Sequence, residues 1–303
     1  MTPGVLILAG QTASGKSARA LELAERFGAE IVGADSRQIY RGMPIGTAAP
    51  SDADRARVPH HLVGFVDPHE RYSAARFVAD ALAAIEDVQA RGKRALVVGG
   101  TGFYVRALAG DVTLSSVYDP ALRERLAREA RVHPPDVLGD WLRALAPERA
   151  VAIAPNDPYR VARALEIALA ERGPLRHAQA LRQDQGDNTP NLRTRGIPFR
   201  KLYLEVAPDV LEQRIAQRVD AMLANGLLEE AERVGAGAVA ADAVGYREAL
   251  AYLAGRSTYA ELRAQLIRNT RRYAKRQATW FRTEPDLVSL GWPDLLERIG
   301  AYW

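Results

Sequence analysis

Eight residues, Gly10-Gln-Thr-Ala-Ser-Gly-Lys-Ser17, restrict the fold of this chain more than any other stretch, because their flanks leave one local geometry open. The run Val5-Leu-Ile-Leu-Ala9 before them has the length of a buried strand. Behind Ser17, residues Ala20, Leu21, Ala24 and Phe27 share one helical face up to a stop at Gly28. Strand, turn of spacing G-x-x-x-x-G-K-[ST] and helix together make an anion cradle. Glycines let the backbone wrap the ligand, and the free N–H groups of the helix start point at it with the positive end of the dipole. Lys16 adds a point charge, and the Ser17 hydroxyl is a ligand for Mg²⁺.

A second apolar run, Glu30 to Ala34, ends in Asp35-Ser36, and an irregular stretch with several Pro and Gly follows from Arg37 to Arg71. Ser73 is placed to cap a helix carrying Phe77, Val78, Ala81, Leu82, Ile85 and Val88, closed near Gly92. Ala95-Leu-Val-Val98 is then a short buried strand ending in Gly99-Gly-Thr-Gly102. Such alternation predicts an α/β fold, a P-loop NTPase-like parallel sheet flanked by helices, with the site at the carboxyl ends of the strands. The middle of the chain shows helical periods only, over Pro120–His133, Trp141–Ile153 and Tyr159–Arg172, before a polar run, Arg182 to Thr189, that reads as a surface loop. Strand character returns at Lys201 to Val206. The expected organisation is a catalytic core of residues 1–112 and 196–303 with an inserted all-helical domain, 113–195.

At 303 residues and 48% hydrophobic content the chain can bury one large core or two modest ones. It has no cysteine, hence no disulfide or thiolate metal site, which suits a reducing cytoplasm. The first apolar run is five residues long and lacks a basic leader, so it reads as a strand and not a signal peptide, and no run approaches the length of a membrane span. The charge is local: Arg256 to Arg282 holds eight Lys or Arg against one acid, Glu261, while the whole chain nets only +4. Arg268, Arg271, Arg272 and Lys275 fall at i, i+3, i+4 and i+7, one face of a helix, with Leu266, Thr270, Tyr273 and Gln277 on another. Stacked cations repel unless a polyanion offsets them, so the stripe favours nucleic acid over a plain solvated face.

A P-loop NTPase usually carries a strand ending in an Asp that holds Mg²⁺. Here the strand at Val97-Val98 ends in Gly99-Gly-Thr-Gly102, which offers N–H groups and a hydroxyl but no carboxylate, and the acid closes the second strand as Asp35. A donor-rich loop facing a diphosphate suits a departing pyrophosphate, and a lone carboxylate beside it suits proton removal from a nucleophile. Asp35 also fits a simple Asx-turn and Thr101 a turn hydroxyl, so neither decides the matter alone.

Seven further blocks do. Asp35-Ser-Arg-Gln-Ile-Tyr-Arg-Gly-Met-Pro-Ile-Gly-Thr47, His60-His-Leu62, Tyr72-Ser-Ala74, Gly99-Gly-Thr-Gly-Phe-Tyr104, Asn156-Asp-Pro-Tyr-Arg-Val-Ala-Arg-Ala-Leu-Glu166, Val244-Gly-Tyr-Arg-Glu248 and Thr270-Arg-Arg-Tyr-Ala-Lys-Arg-Gln-Ala-Thr-Trp-Phe-Arg282 follow the cradle in order. In this the chain resembles the bacterial tRNA dimethylallyltransferase family, from the P-loop almost to the C-terminus. The resemblance implies transfer of the dimethylallyl group of dimethylallyl diphosphate to N6 of adenosine-37 of tRNA, beside the anticodon, by a monomeric enzyme.

By the same resemblance Gly10, Thr12, Ala13, Ser14, Gly15, Lys16 and Ser17 hold the diphosphate, with Mg²⁺ at Ser17. Asp35 is the general base toward the amine, Thr101 places a hydroxyl near the bridging oxygen, and Arg218 serves the diphosphate, with Arg214 one turn away as its possible substitute. The tRNA contacts are Asp35, Ser36, Arg37, Gln38, Thr101, Arg123, Tyr159, Arg160, Arg163, Tyr246, Arg247, Arg271, Arg272, Lys275, Arg276 and Gln277. Three positions depart from the pattern: Gln11 replaces a usual proline, Ala49 a common lysine and Arg247 a frequent lysine. Gln11 should alter loop stiffness without removing a ligand. His60 and His61 lack a third ligand for a metal; Tyr72, Tyr104 and Tyr273 read as packing residues, and Trp280-Phe281 as an anchor of the C-terminal helix. A small-molecule kinase or a non-catalytic RNA-binding module would each explain only part of this set.

Overall fold

The computed structural model describes residues 4–302 except 113, 115–119, 152, 155–156 and 173–189; Asn156 and the polar run 182–189 lie outside the described residues. The chain forms two compact units, Met1–Val112 with Pro190–Trp303, and Thr113–Thr189.

The first unit is built on six parallel strands, in the order β3-β2-β4-β1-β5-β6: β1 Val5–Ala9, β2 Ala29–Gly33, β3 His60–His61, β4 Arg94–Gly99, β5 Phe199–Leu204 and β6 Leu287–Leu290. Its central strands are continuous apolar runs rather than alternating ones because helices cover both faces, and all five residues of β1 are fully buried. Around the sheet are α1 (Lys16–Phe27), the short α2 (Pro44–Thr47) and α3 (Asp52–Arg57), α4 (Ala74–Ala90) and α5 (Gly102–Ala109). The second unit supplies α6 (Pro120–Val132), α7 (Pro135–Leu145), α8 (Pro147–Val151) and α9 (Pro158–Arg172). The first unit then resumes with α10 (Pro208–Ala224), α11 (Leu227–Val234), α12 (Tyr246–Leu253), α13 (Tyr259–Phe281) and α14 (Trp292–Tyr302).

The expected caps form. The Ser73 hydroxyl accepts from Arg76 N–H at the head of α4, and Gly28 ends α1 in the left-handed region at φ 63°. Residues 141–153, read as one helix, are two: α7 begins earlier and stops at Ala146, because Pro147 has no N–H to continue the ladder and starts α8 instead. Within the irregular stretch 37–71 the structure adds α2, α3 and the two-residue edge strand β3. Also unforeseen are β6 and α14 at the C-terminus, whose Leu295 and Ile299 fill the core against Leu6, Leu8 and Leu202.

Register decides where the site lies. Ala9 is level with Gly99, and Gly33 with Val98, so the carboxyl ends of β1, β4 and β2 stand side by side, placing Gly10, Gly100 and Asp35 along one edge. The second unit has its own core, Leu126, Leu138, Leu142, Val161 and Leu165.

Candidate active site

The cradle turns from β1 into α1 with Gly15 at the helix N-cap, φ 88°, a conformation a side chain rarely adopts. Ala13 also takes a positive φ of 62°. The Lys16 ammonium folds back along the loop to donate to the Gln11 carbonyl at 3.3 Å. Burial lowers its pKa from 10.5 to about 8, with the Asp35 carboxylate raising it again and Arg218 opposing. Arg218 is held down by burial and pulled up by the same Asp35. Two cations therefore share the field of one carboxylate, and all three groups belong to one cluster. Arg214 stands nearer the cradle itself, its Nη1 donating to the Ser14 carbonyl at 2.8 Å, while Arg218 Nη2 donates to the Thr47 carbonyl at 3.2 Å.

Asp35 follows β2 and accepts from the N–H groups of Arg37 at 2.9 Å and Gln38 at 3.4 Å, both on Oδ1. The Asx-turn is thus real, and it fixes the carboxylate through Oδ1. Thr101 Oγ1 accepts from Ser36 N–H at 3.0 Å and donates to Ser36 Oγ at 3.3 Å, which ties the end of β4 to the end of β2. Burial beside Asp35 raises the pKa of both Tyr104 and Tyr273, so these phenols stay neutral around it. Tyr104 is a packing residue, stacked on Phe77 at 4.1 Å.

Behind the cluster a buried support shapes the segment that holds Arg218. Glu230, fully buried, accepts from Ile45 N–H at 2.9 Å, Gly46 N–H at 2.8 Å and Tyr246 Oη at 2.6 Å. Tyr246, expected to touch tRNA, is fully buried; it packs so closely on Gly46 that a Cβ there would lie 2.6 Å from the ring. Its place is therefore the core, and only its neighbour Arg247 is exposed. Gln277, also expected at the RNA, points inward: its Oε1 accepts from Thr12 N–H at 2.7 Å and its Nε2 donates to the Gly100 carbonyl at 2.9 Å. Gln11, expected to affect stiffness alone, donates from its amide to the Ala274 carbonyl at 3.1 Å.

The basic stripe of α13 faces outward. Arg268, Arg271, Arg272, Lys275 and Arg276 are exposed, against buried Leu262, Leu266, Ala274 and Phe281 on the other face. The only ion pair recorded for the stripe among the described residues is a long one, Arg271 to Glu212 at 3.7 Å. In the second unit Arg123 of α6 and Arg163 of α9 converge on Glu166 of α9, which is 1% exposed, so Arg123 ties α6 to α9 and Arg163 braces α9 itself, while Tyr159 and Arg160 are exposed. His61 pairs with Glu30 at 2.7 Å and His60 with the Val58 carbonyl; no metal-holding cluster exists among the described residues. Trp280 and Phe281 do anchor α13, Trp280 lying against Gly102 and under Arg106.

Comparison with known proteins fits this geometry. A model described as IPP transferase matches residues 38–284, and one described as isopentenyl transferase matches residues 3–58. The chain belongs to the IPP transferase family. The tRNA dimethylallyltransferase of Geobacter metallireducens is 42% identical over 302 residues, covering 97% of this chain and 94% of that one. That of Anaeromyxobacter dehalogenans is 44% identical over 295 residues, 95% of each. The solved tRNA isopentenylpyrophosphate transferase of Bacillus halodurans superposes with a TM-score of 0.68 at 33% identity, over 99% of this chain and 95% of that one. A eukaryotic dimethylallyltransferase solved acting on tRNA gives 0.76 at 28% identity, over 98% of this chain and 75% of that one. As an IPP transferase the protein is an enzyme of the prenyltransferase class, and the kinase reading of the cradle is not favoured. No helix among the described residues is long and apolar enough to cross a membrane.

Proposed function

We propose that this IPP transferase moves the dimethylallyl group of dimethylallyl diphosphate to N6 of adenosine-37 in the anticodon loop of tRNA, releasing diphosphate. The observation that carries the reading is the joint field of Asp35 on Lys16 and Arg218: an acceptor for a proton and two cations for a leaving anion, in one cluster. In an NTPase the acid would serve the metal; here it closes a different strand from the one that ends beside the cradle.

The exocyclic amine of adenine is a weak nucleophile in a stacked base, so the base must leave its stack to reach the site. The N6 lone pair forms the new N–C bond as the C1–O bond to the diphosphate breaks, its electron pair passing to the bridging oxygen. The N6 proton passes to Asp35, whose carboxylate is held in place through its Oδ1 by two backbone N–H groups. Lys16, the N–H groups opening α1 and Arg218 stabilise the charge that grows on the diphosphate, and the Thr101 hydroxyl serves the bridging oxygen. Holding both substrates at contact distance contributes the rest.

The chemistry of Ser17 fits Mg²⁺. Its hydroxyl is exposed at the start of α1 and no hydrogen bond among the described residues engages it, and Mg²⁺ is held mostly by phosphate oxygens and water with few protein ligands. When bound there, Mg²⁺ supplies positive charge to the diphosphate. In the first unit the stripe on α13, with Arg247, offers a phosphate-contacting surface for tRNA; in the second, the exposed Tyr159 and Arg160 are RNA contacts of that unit's own. We place it in the cytoplasm, whose reducing conditions suit a cysteine-free chain, and propose that it acts as a monomer.

The test is transfer of labelled dimethylallyl from its diphosphate to an anticodon stem-loop, with ATP hydrolysis followed in parallel. Labelled RNA with stoichiometric diphosphate is expected; ATP consumed with the RNA unmodified overturns the reading.

A further inference from the structure

We propose that Gln277 is a positioning residue for the transfer, a molecular strut that sets the distance between the cradle and the loop bearing Thr101; the inference rests on the prenyl-transfer reading. Gln277 is 6% exposed on a helix whose outward face is a row of exposed cations. Both ends of its amide are used, and they reach different strands: Thr12 N–H in the loop after β1 and the Gly100 carbonyl after β4. Gly100 immediately precedes Thr101, so the bond to its carbonyl fixes where the Thr101 hydroxyl stands.

Three neighbouring contacts show that this face of α13 is a template rather than a casual neighbour. One turn before Gln277, the Ala274 carbonyl accepts from the Gln11 side chain at 3.1 Å, fastening the cradle at a second point. At Gly100 itself there is no room for more, since a Cβ would lie 2.3 Å from Gln277 Nε2. One turn after, Trp280 closes on Gly102, where a Cβ would lie 2.0 Å from the indole ring.

Residue type follows from the two partners. One is a donor and the other an acceptor, and the carboxamide offers an acceptor and a donor at its two ends without charge and independently of pH. Leucine would leave a buried N–H and a buried carbonyl without partners, and such groups draw in water or pull the loops apart. Displacement of a reacting group by about 1 Å can cost on the order of 10²-fold in rate.

The experiment is steady-state transfer to an anticodon stem-loop by wild type, Gln277→Leu and Gln277→Glu, with amide hydrogen exchange at Thr12 in the wild type. For Gln277→Leu, kcat is expected to fall roughly 30–100-fold, with the KM for RNA within about 3-fold, because the side chain faces away from the cations. Gln277→Glu keeps the acceptor for Thr12 and loses the donor to Gly100, but a protonated carboxyl restores that donor. Its kcat relative to wild type should therefore rise about 5-fold or more from pH 8 to pH 6, burial favouring the neutral acid. Thr12 should exchange slowly. A raised RNA KM with unchanged kcat would make Gln277 an RNA contact and overturn the proposal, as would unchanged kinetics, a pH-independent ratio or fast exchange at Thr12. If Gln277→Leu does not fold, the other two measurements decide. A wild type that exchanges slowly at Thr12 but transfers no prenyl group defeats the functional reading instead.

Discussion

Lys16 should make donor binding and protein stability respond to pH in opposite directions. Burial brings its pKa to about 8 against an ordinary 10.5. In the unliganded enzyme the ammonium fraction is then about 0.9 at pH 7, one half at pH 8 and about 0.1 at pH 9. If the diphosphate is taken by the ammonium form, its association constant falls about tenfold between pH 7 and pH 9. The donor's own ionisation lies near pH 6, below that window. Calorimetric titration of dimethylallyl diphosphate without RNA measures this directly. Lys16→Arg keeps its charge throughout and should bind with a flat profile.

Stability moves the other way. The unfolded chain keeps the Lys16 proton up to about 10.5, so between roughly pH 8 and 10.5 it binds more protons than the native state, and the free energy of unfolding rises with pH. Below pH 8 both states are protonated and the burial penalty is fully present. The gain attributable to this one group is about 1–3 kcal/mol, since one pKa unit is about 1.4 kcal/mol. Urea denaturation of wild type against Lys16→Met isolates it. A flat binding profile for wild type, or a stability difference that does not grow between pH 8 and 10.5, refutes the assignment.

Asp35→Ala should slow single-turnover transfer by roughly 10²–10⁴ while RNA affinity stays within a few-fold; near-full rate removes Asp35 from the role of base. Replacing Arg271, Arg272 and Lys275 together by alanine should weaken RNA binding and shrink the slope of log affinity against log salt by about two to three. An unchanged slope means that the stripe does not meet phosphate. Tyr246→Phe removes a hydroxyl donor from the fully buried Glu230, leaving a buried acceptor short of a partner, and should cost about 1–3 kcal/mol in urea unfolding. No loss there would mean that Glu230 finds another partner.

The parts of this site that repeat along the chain were legible in the sequence. Residues Val5 to Phe27 encode strand, cradle and helix by local pattern alone, and the stripe at Arg268, Arg271, Arg272 and Lys275 is visible from its spacing, because each depends on neighbours in sequence. Gln277 and Tyr246 were misplaced for one reason. Both stand next to arginines that face solvent, and their inward direction depends on partners 265 residues away at Thr12 and 16 away at Glu230. Periodicity put Gln277 on the same face as Leu266 and Tyr273, the one local sign that it turned inward, but the surrounding basic run outweighed it. Strand β6 was missed because Leu287 to Leu290 is a four-residue edge with two exposed positions, too short for a period to show.

The displacement of the acid from β4 to β2 has a steric cause within this fold. A Cβ at Gly99 would lie 2.0 Å from the Ala34 carbonyl oxygen, and one at Gly100 would lie 2.3 Å from Gln277 Nε2. No carboxylate can therefore stand at either position while β2 and β4 keep their register and Gln277 its seat. The same closeness that expels a side chain from the end of β4 carries Ala34, and with it Asp35, against the loop of Thr101, where Ser36 N–H meets the Thr101 hydroxyl. An acid there lies within the field of Lys16 but on a backbone turn of its own, where the proposed chemistry needs a proton acceptor. The difference between this cradle and that of an NTPase thus rests less on the eight residues that wrap the anion than on two glycines ninety residues later.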